Sequence, residues 1–149
     1  MVDIVDSATR SKMMSGIRSA NTKPELRLRR ALHAQGFRFR LHDRSLPGSP
    51  DIVLSRWRTV IEVRGCFWHQ HERCRYATSP ATRTDFWEAK FSSNVERDHR
   101  NEALLRDAKW RLAIVWECAL REVNISGLAD VLASWIRSKG DRIEIPTIP

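Results

Sequence analysis

Apolar residues recur along this chain on two periods, and the changes from one to the other mark its elements. Thr22-Lys23-Pro24-Glu25 has capping-box spacing with proline in the first turn. Leu28, Ala31 and Leu32 continue at helical spacing as far as Gly36, which predicts a helix. The period then falls to two: Phe37, Phe39 and Leu41 alternate with arginine and histidine and predict a half-buried strand, ended by Leu46-Pro47-Gly48-Ser49-Pro50. Asp51-Ile52-Val53-Leu54 and Thr59-Val60-Ile61-Glu62-Val63 are β-branched runs separated by a short polar turn, so they are expected to pair as neighbouring strands.

Residues 65 to 83 have no period. From Thr84 to Lys109 a charged helical pattern runs through Phe86, Trp87, Phe91, Val95 and Leu104-Leu105, with a break expected near Ser93-Asn94. Trp110 to Trp116 predicts a buried strand, and Ile125, Leu128, Val131, Leu132, Trp135 and Ile136 form one face of a last helix. The polar opening, with Arg10, Lys12 and Arg18 beside Met13 and Met14, reads as an arm rather than core. Together these give one α/β domain over residues 1–149, a central mixed sheet flanked by helices, with an arm over about 1–20 and a loose tail over about 140–149.

Composition narrows the partner. With 149 residues and 42% hydrophobic positions there is material for one core, and 26 Lys and Arg against 18 Asp and Glu leave a formal charge of +8, which favours nucleic acid. A membrane surface would call for a basic amphipathic helix or a lipidation signal, and the sequence offers neither. No apolar stretch reaches membrane-spanning length and Met1-Val2-Asp3-Ile4 begins no signal-peptide core, so a soluble cytoplasmic protein is expected.

The unpatterned segment holds most of the chemistry. Cys66, His71 and Cys74 stand in a C-x4-H-x2-C arrangement, and Cys118 follows the strand ending at Trp116. Two or more thiolates and an imidazole at such spacing suit Zn²⁺, and a site filled by four protein ligands is structural because no position is left for water. The plainer alternative makes Cys118 a small buried hydrophobe and His71 a surface residue.

Pro50-Asp51 followed by Glu62-Val63-Arg64 has the form of the PD-(D/E)xK nuclease pattern, with arginine in place of lysine. Carboxylates at the start of one strand and late in its neighbour converge, and with the Val63 carbonyl they offer hard oxygen ligands for Mg²⁺ at a phosphate. Alternation puts Glu62 and Arg64 on one face, where the guanidinium can meet developing negative charge but, staying protonated, cannot act as a base. His69 can, being spare beside the proposed ligand His71. Glu25 is a further acidic candidate, for orienting His69 or a metal-bound water, although a capping-box glutamate needs no catalytic reason to stand there.

The segments Asp6-Ser7-Ala8-Thr9-Arg10-Ser11-Lys12, Leu46-Pro47-Gly48-Ser49-Pro50-Asp51, Gly65-Cys66-Phe67-Trp68-His69, Pro80-Ala81-Thr82-Arg83-Thr84, Phe86-Trp87, Asn94-Val95-Glu96-Arg97-Asp98 and Val115-Trp116-Glu117-Cys118 resemble, in order and spacing, the very-short-patch-repair (Vsr) endonucleases. The resemblance runs to about Leu120. It implies a type II restriction-endonuclease-like (PD-(D/E)xK) fold, catalytic Mg²⁺, a structural zinc, and nicking of duplex DNA 5′ of the thymine in a T:G mismatch left by 5-methylcytosine deamination. It further implies Asp51 as metal ligand, His69 as catalytic histidine, Glu25 as the N-terminal acidic residue, and Cys66, His71, Cys74 and Cys118 as zinc ligands. Phe67, Trp68 and Trp87 match aromatics that wedge into the base stack, and the arm with Arg10, Lys12 and Met14 matches a segment lying against the minor groove.

At two positions the chain departs from the family pattern, which carries an apolar residue in place of Glu62 and a histidine in place of Arg64. Either the missing histidine's work falls to Arg64 and His69, or Glu62 adds a carboxylate to the metal. Mismatch-repair proteins are candidate partners, and a monomer is expected because an asymmetric lesion offers no two-fold axis. Two other functions fit the same residues: a related restriction or nicking endonuclease acting on intact duplex, and a zinc-stabilised DNA-binding module without catalysis. Against the module, Asp51 and Glu62 would repel phosphate unless a cation lay between them.

Overall fold

A computed structural model of the chain describes residues 21–122 and 124–146. The proposed arm, with Arg10, Lys12 and Met14, lies outside the described residues. The first helix, α1 (Lys23–Ala34), starts as its sequence requires: the Thr22 side chain accepts from the Glu25 N–H at 3.3 Å. Glu25 reaches back past the cap to accept the Asn21 N–H, a reciprocal contact one residue beyond the usual capping box.

Five strands form one sheet in the order β1-β2-β3-β4-β5. β1 (Arg40–Leu41), β2 (Ile52–Leu54) and β3 (Thr59–Arg64) run antiparallel, with a 3-10 turn over Ser55–Trp57 between the last two. The long helix α2 (Thr84–Asp107) then carries the chain across so that β4 (Arg111–Trp116) pairs parallel to β3, Glu62 lying opposite Ile114. The short α3 (Glu117–Glu122) and then α4 (Ile125–Ile136) lead to β5 (Arg142–Ile145), parallel to β4. Central β3 and β4 thus pair on both sides, which explains their continuous apolar runs.

Alternation along the strands divides the core between two faces. Ile52, Leu54, Ile61, Ala113 and Val115 pack with Leu28 and Leu32 of α1 and with Leu128, Leu132, Ala133 and Ile136 of α4. Val53, Val60, Leu112, Ile114 and Trp116 project to the other face, where Leu105 of α2, Cys66 and Cys118 meet them. Glu62 and Arg64 share that second face by the same period of two.

Three sequence expectations are corrected. The alternating Phe37–Leu41 run yields only a two-residue strand, because Phe37 is buried in the core against α1 and α4 and turns edge-on to Trp57. No break occurs near Ser93-Asn94: Asn94 spends its side-chain amide on the Trp68 carbonyl at 2.9 Å and leaves the helix ladder intact. The expected loose tail from about 140 is instead a sheet strand over Arg142–Ile145, since Ile143 and Ile145 pack on the first core cluster while Glu144 accepts the Trp116 indole N–H. Among the described residues no helix is long and apolar enough to cross a membrane.

Candidate active site and metal centres

The strand pairing places Asp51 at the mouth of the sheet, one residue before β2, and its Oδ2 accepts the Val63 N–H at 2.7 Å. A strand residue's N–H and C=O lie on the same edge, so the Val63 carbonyl faces Asp51 as well. A groove of about 370 Å³ opens there, walled by Asp51, Glu62, Val63, Arg64, His69 and, from α2, Asp98. Five of the residues expected to carry chemistry therefore meet in one place. Gly48 closes the rim at φ 75°, where a Cβ would lie 3.1 Å from the Asn101 amide and 3.2 Å from Glu62 Oε1, so the position admits little besides glycine.

Burial pushes the Asp51 carboxyl from its ordinary 3.8 up to about 7; the Val63 N–H opposes the shift, and nearby Glu25 and Glu62 add to it. Glu25, fully buried at the start of α1, belongs to the same cluster, in which ligand atoms of Glu25, His42 and Asp51 lie within 4.8 Å of one another. Two carboxylates, an imidazole and the Val63 carbonyl make a donor set that fits a divalent cation.

Glu62 lies outside that trio and is turned to Arg64, whose Nε and guanidinium nitrogen donate to its Oε2 at 3.1 and 2.7 Å. The pair is buried, and burial raises the Glu62 carboxyl above its usual range while Arg64 draws it down. Arg64 also approaches Glu102 at 3.6 Å, and Glu102 holds Arg142 at 2.8 Å, so the charge is spread through α2 and β5.

His69 is anchored by Asp98, whose Oδ2 lies 2.7 Å from Nδ1, leaving Nε2 as the free ring nitrogen. Sequence reasoning selected His69 for its place near the cysteines, and missed both Asp98 as its partner and His42. No local signal marks either: Asp98 is 29 residues from His69 and His42 is 17 from Glu25, so only the fold joins them.

Beside the groove Cys66, His71, Cys74 and Cys118 bring their ligand atoms within 4.8 Å of one another. His71 Nδ1 lies 3.7 Å from the Cys66 sulfur and 3.5 Å from that of Cys118, while its ring stacks on Trp116 at 4.0 Å. Burial pushes the Cys66 thiol up to about 12, raises that of Cys118, and lowers the pKa of the His71 imidazole. Four soft donors with neutral imidazole suit a tetrahedral zinc ion, whose charge would offset the cost of forming buried thiolates.

The loop carrying Cys66 also carries Phe67 and Trp68, which join Trp87 and Phe91 of α2 in one aromatic cluster. Ring centroids are 5.0 Å apart for Phe67 and Trp68, 5.6 Å for Phe67 and Trp87, and 6.1 Å for Trp68 and Trp87. Phe67, Trp68 and Trp87 stay partly exposed, so they stand together on the surface rather than in the core.

Comparison with known proteins adds the relationship. A family model described as DNA mismatch endonuclease Vsr matches residues 2–75. The chain is 46% identical to the DNA mismatch endonuclease Vsr of Escherichia coli (strain K12), over 99% of this chain and 96% of that protein. It is 46% identical to the type II nicking enzyme V.XorIIP of Xanthomonas oryzae over 83% of this chain and 90% of that one, and 44% identical to V.NmeAIP of Neisseria meningitidis over 84% and 89%.

Proposed function

The chain belongs to the Vsr family of DNA mismatch endonucleases, and on that premise we propose that it nicks one strand of duplex DNA 5′ of the thymine in a T:G mismatch. The observation that carries this reading is the convergence of Asp51 and the Asp98-anchored His69 on one groove beside a partly exposed aromatic cluster. The family's PD-(D/E)xK fold fits the arrangement, in which antiparallel β2 and β3 deliver a carboxylate and an acidic-x-basic strand end to the same groove.

Asp51, Glu25 and the Val63 carbonyl would hold Mg²⁺, which when bound neutralises phosphate charge and acidifies water. His69 takes the proton of the attacking water at Nε2, and Asp98, on Nδ1, fixes the tautomer and offsets the charge of the imidazolium formed. Arg64, held flat by Glu62, keeps a cation on the groove wall where negative charge grows in the transition state. Phe67, Trp68 and Trp87 replace stacking lost at the mismatch, whose pair opens at low cost. Cys66, His71, Cys74 and Cys118 would hold a structural zinc that ties the aromatic loop to the end of β4.

The test is incubation of labelled homoduplex and T:G heteroduplex with the protein and Mg²⁺. Nicking confined to the heteroduplex, lost by at least about 1,000-fold in Asp51→Ala with DNA binding retained, supports the reading. Equal cutting of both duplexes would replace it with a nuclease for intact DNA, and a mobility shift without cleavage would leave a binding module.

A further inference from the structure

His42 follows β1 in a left-handed bend at φ 47°, a conformation uncommon for residues with a side chain. Its backbone N–H donates to the Asp51 carbonyl oxygen at 3.1 Å, which ties the bend to the entry of β2. The imidazole lines the groove with its side chain 25% exposed, and Nε2 lies 2.7 Å from Glu25 Oε2. Glu25 is fixed from behind by Arg29 at 2.9 Å and by the Asn21 N–H at 3.2 Å. A pairing of His42 with Glu25 alone would leave Asp51 out, yet ligand atoms of all three residues lie within 4.8 Å of one another.

Resting on the reading of Asp51 as a metal ligand, we infer that the cation site of this chain is a mixed nitrogen and oxygen site, in which His42 joins Glu25 and Asp51 and selects first-row transition cations over Mg²⁺. Mg²⁺ prefers oxygen donors and sheds water reluctantly, so an imidazole contributes little to holding it. Borderline divalent ions accept imidazole and carboxylate together. His42 therefore sets which metal occupies the groove, while Asp51 sets whether any does.

Mn²⁺ is the suitable probe, because it accepts an imidazole beside carboxylates yet, lowest in the Irving–Williams order, does not displace zinc from the cysteine cluster. Calorimetric titration of the zinc-loaded protein with Mn²⁺ and with Mg²⁺ is expected to show Mn²⁺ bound about tenfold more tightly, with His42→Gln removing most of that preference and changing Mg²⁺ affinity by no more than about twofold. Asp51→Asn is expected to lose both ions. Electron spin echo spectra of bound Mn²⁺ are expected to show nitrogen coupling in the parent protein and none in His42→Gln.

Unchanged Mn²⁺ affinity or surviving nitrogen coupling in His42→Gln overturns the inference and reduces His42 to a hydrogen-bond partner of Glu25. Tight Mn²⁺ binding that survives Asp51→Asn overturns it too, by moving the ion elsewhere. Heteroduplex nicking by the parent protein is read separately. Nicking with a silent His42 sinks only this inference, and a His42-dependent site without nicking sinks only the function proposed above.

Discussion

Helices α4 and α2 cover opposite faces of one sheet and are built on different terms. α4 has 12 residues and buries five of them, Leu128, Ala129, Leu132, Ala133 and Ile136; α2 has 24 and buries only Phe91 and Leu105. Each fully buried large apolar side chain contributes roughly 1.5–3 kcal/mol, so α4 is held by its apolar face. α2 is held instead by contacts that belong to the groove: Asp98 to His69, Glu102 to Arg64 and Arg142, and Asn94 to the Trp68 carbonyl. α4 is thus held by its own apolar face, whereas α2 brings polar contacts to the groove and buries little apolar surface of its own.

The sharpest test of that contrast is the cysteine cluster, in which Cys66 and Cys118 join the core on the α2 face. Cys118→Ala is expected to release one equivalent of zinc and lower the melting temperature by about 10 °C or more, read by metal analysis and calorimetry. Unchanged metal content would remove Cys118 from the ligand set. Next comes Arg64→Ala, which strands the buried Glu62 carboxylate and is expected to cost about 4 kcal/mol in urea denaturation. Replacing both partners, as Glu62→Leu with Arg64→Met, is expected to restore most of it; a double variant as unstable as the single would show that the pair itself stabilises the face.

On the apolar side, Leu132→Ala is expected to cost about 3 kcal/mol without altering nicking per folded molecule, whereas Leu104→Ala on α2, where the side chain is 52% exposed, should stay within about 0.5 kcal/mol. Similar losses at the two sites would erase the contrast. A smaller effect than that at Leu132 is a pH dependence at Asp51. Its folded pKa of about 7 lies above the ordinary 3.8, so the folded state holds the proton more tightly. That contribution to stability is complete below about pH 4 and is lost as the pH rises through 7. Without added divalent cation, Asp51→Asn is therefore expected to exceed the parent protein by about 2 kcal/mol at pH 8, after allowance for solvent screening, and to lose that advantage near pH 4. A flat difference across that range would show that Asp51 keeps its ordinary pKa.

Local pattern made much of this legible. Val60, Glu62 and Arg64 on one face and Ile61 and Val63 on the other follow from a period of two, and the pairing of β2 with β3 follows from two β-branched runs around a short turn. The cysteine cluster was readable because thiol and imidazole have few other reasons to recur at such spacing, and the structure gathers all four side chains. What escaped was carried by distance along the chain or by irregular backbone. β5 is short, with Asp141 before it and Pro146 after it, so its strand character comes from the open edge of β4 rather than from its own composition. His42 looked like the polar partner in an alternating run, and its left-handed bend is set by the Asp51 carbonyl.

The sheet joins near neighbours at one end and distant segments at the other. β2 meets β3 through a tight turn, while Thr59 and Arg111, which open the β3 and β4 pair, are 52 residues apart in sequence. Closing the short loop costs less chain entropy than closing the long one, so the antiparallel pairing is local and the parallel pairing depends on segments far apart in sequence. Asp51 and Glu62 are thus brought together by neighbouring strands, whereas Asp98 and Cys118 reach them only through the long crossover of α2 and β4.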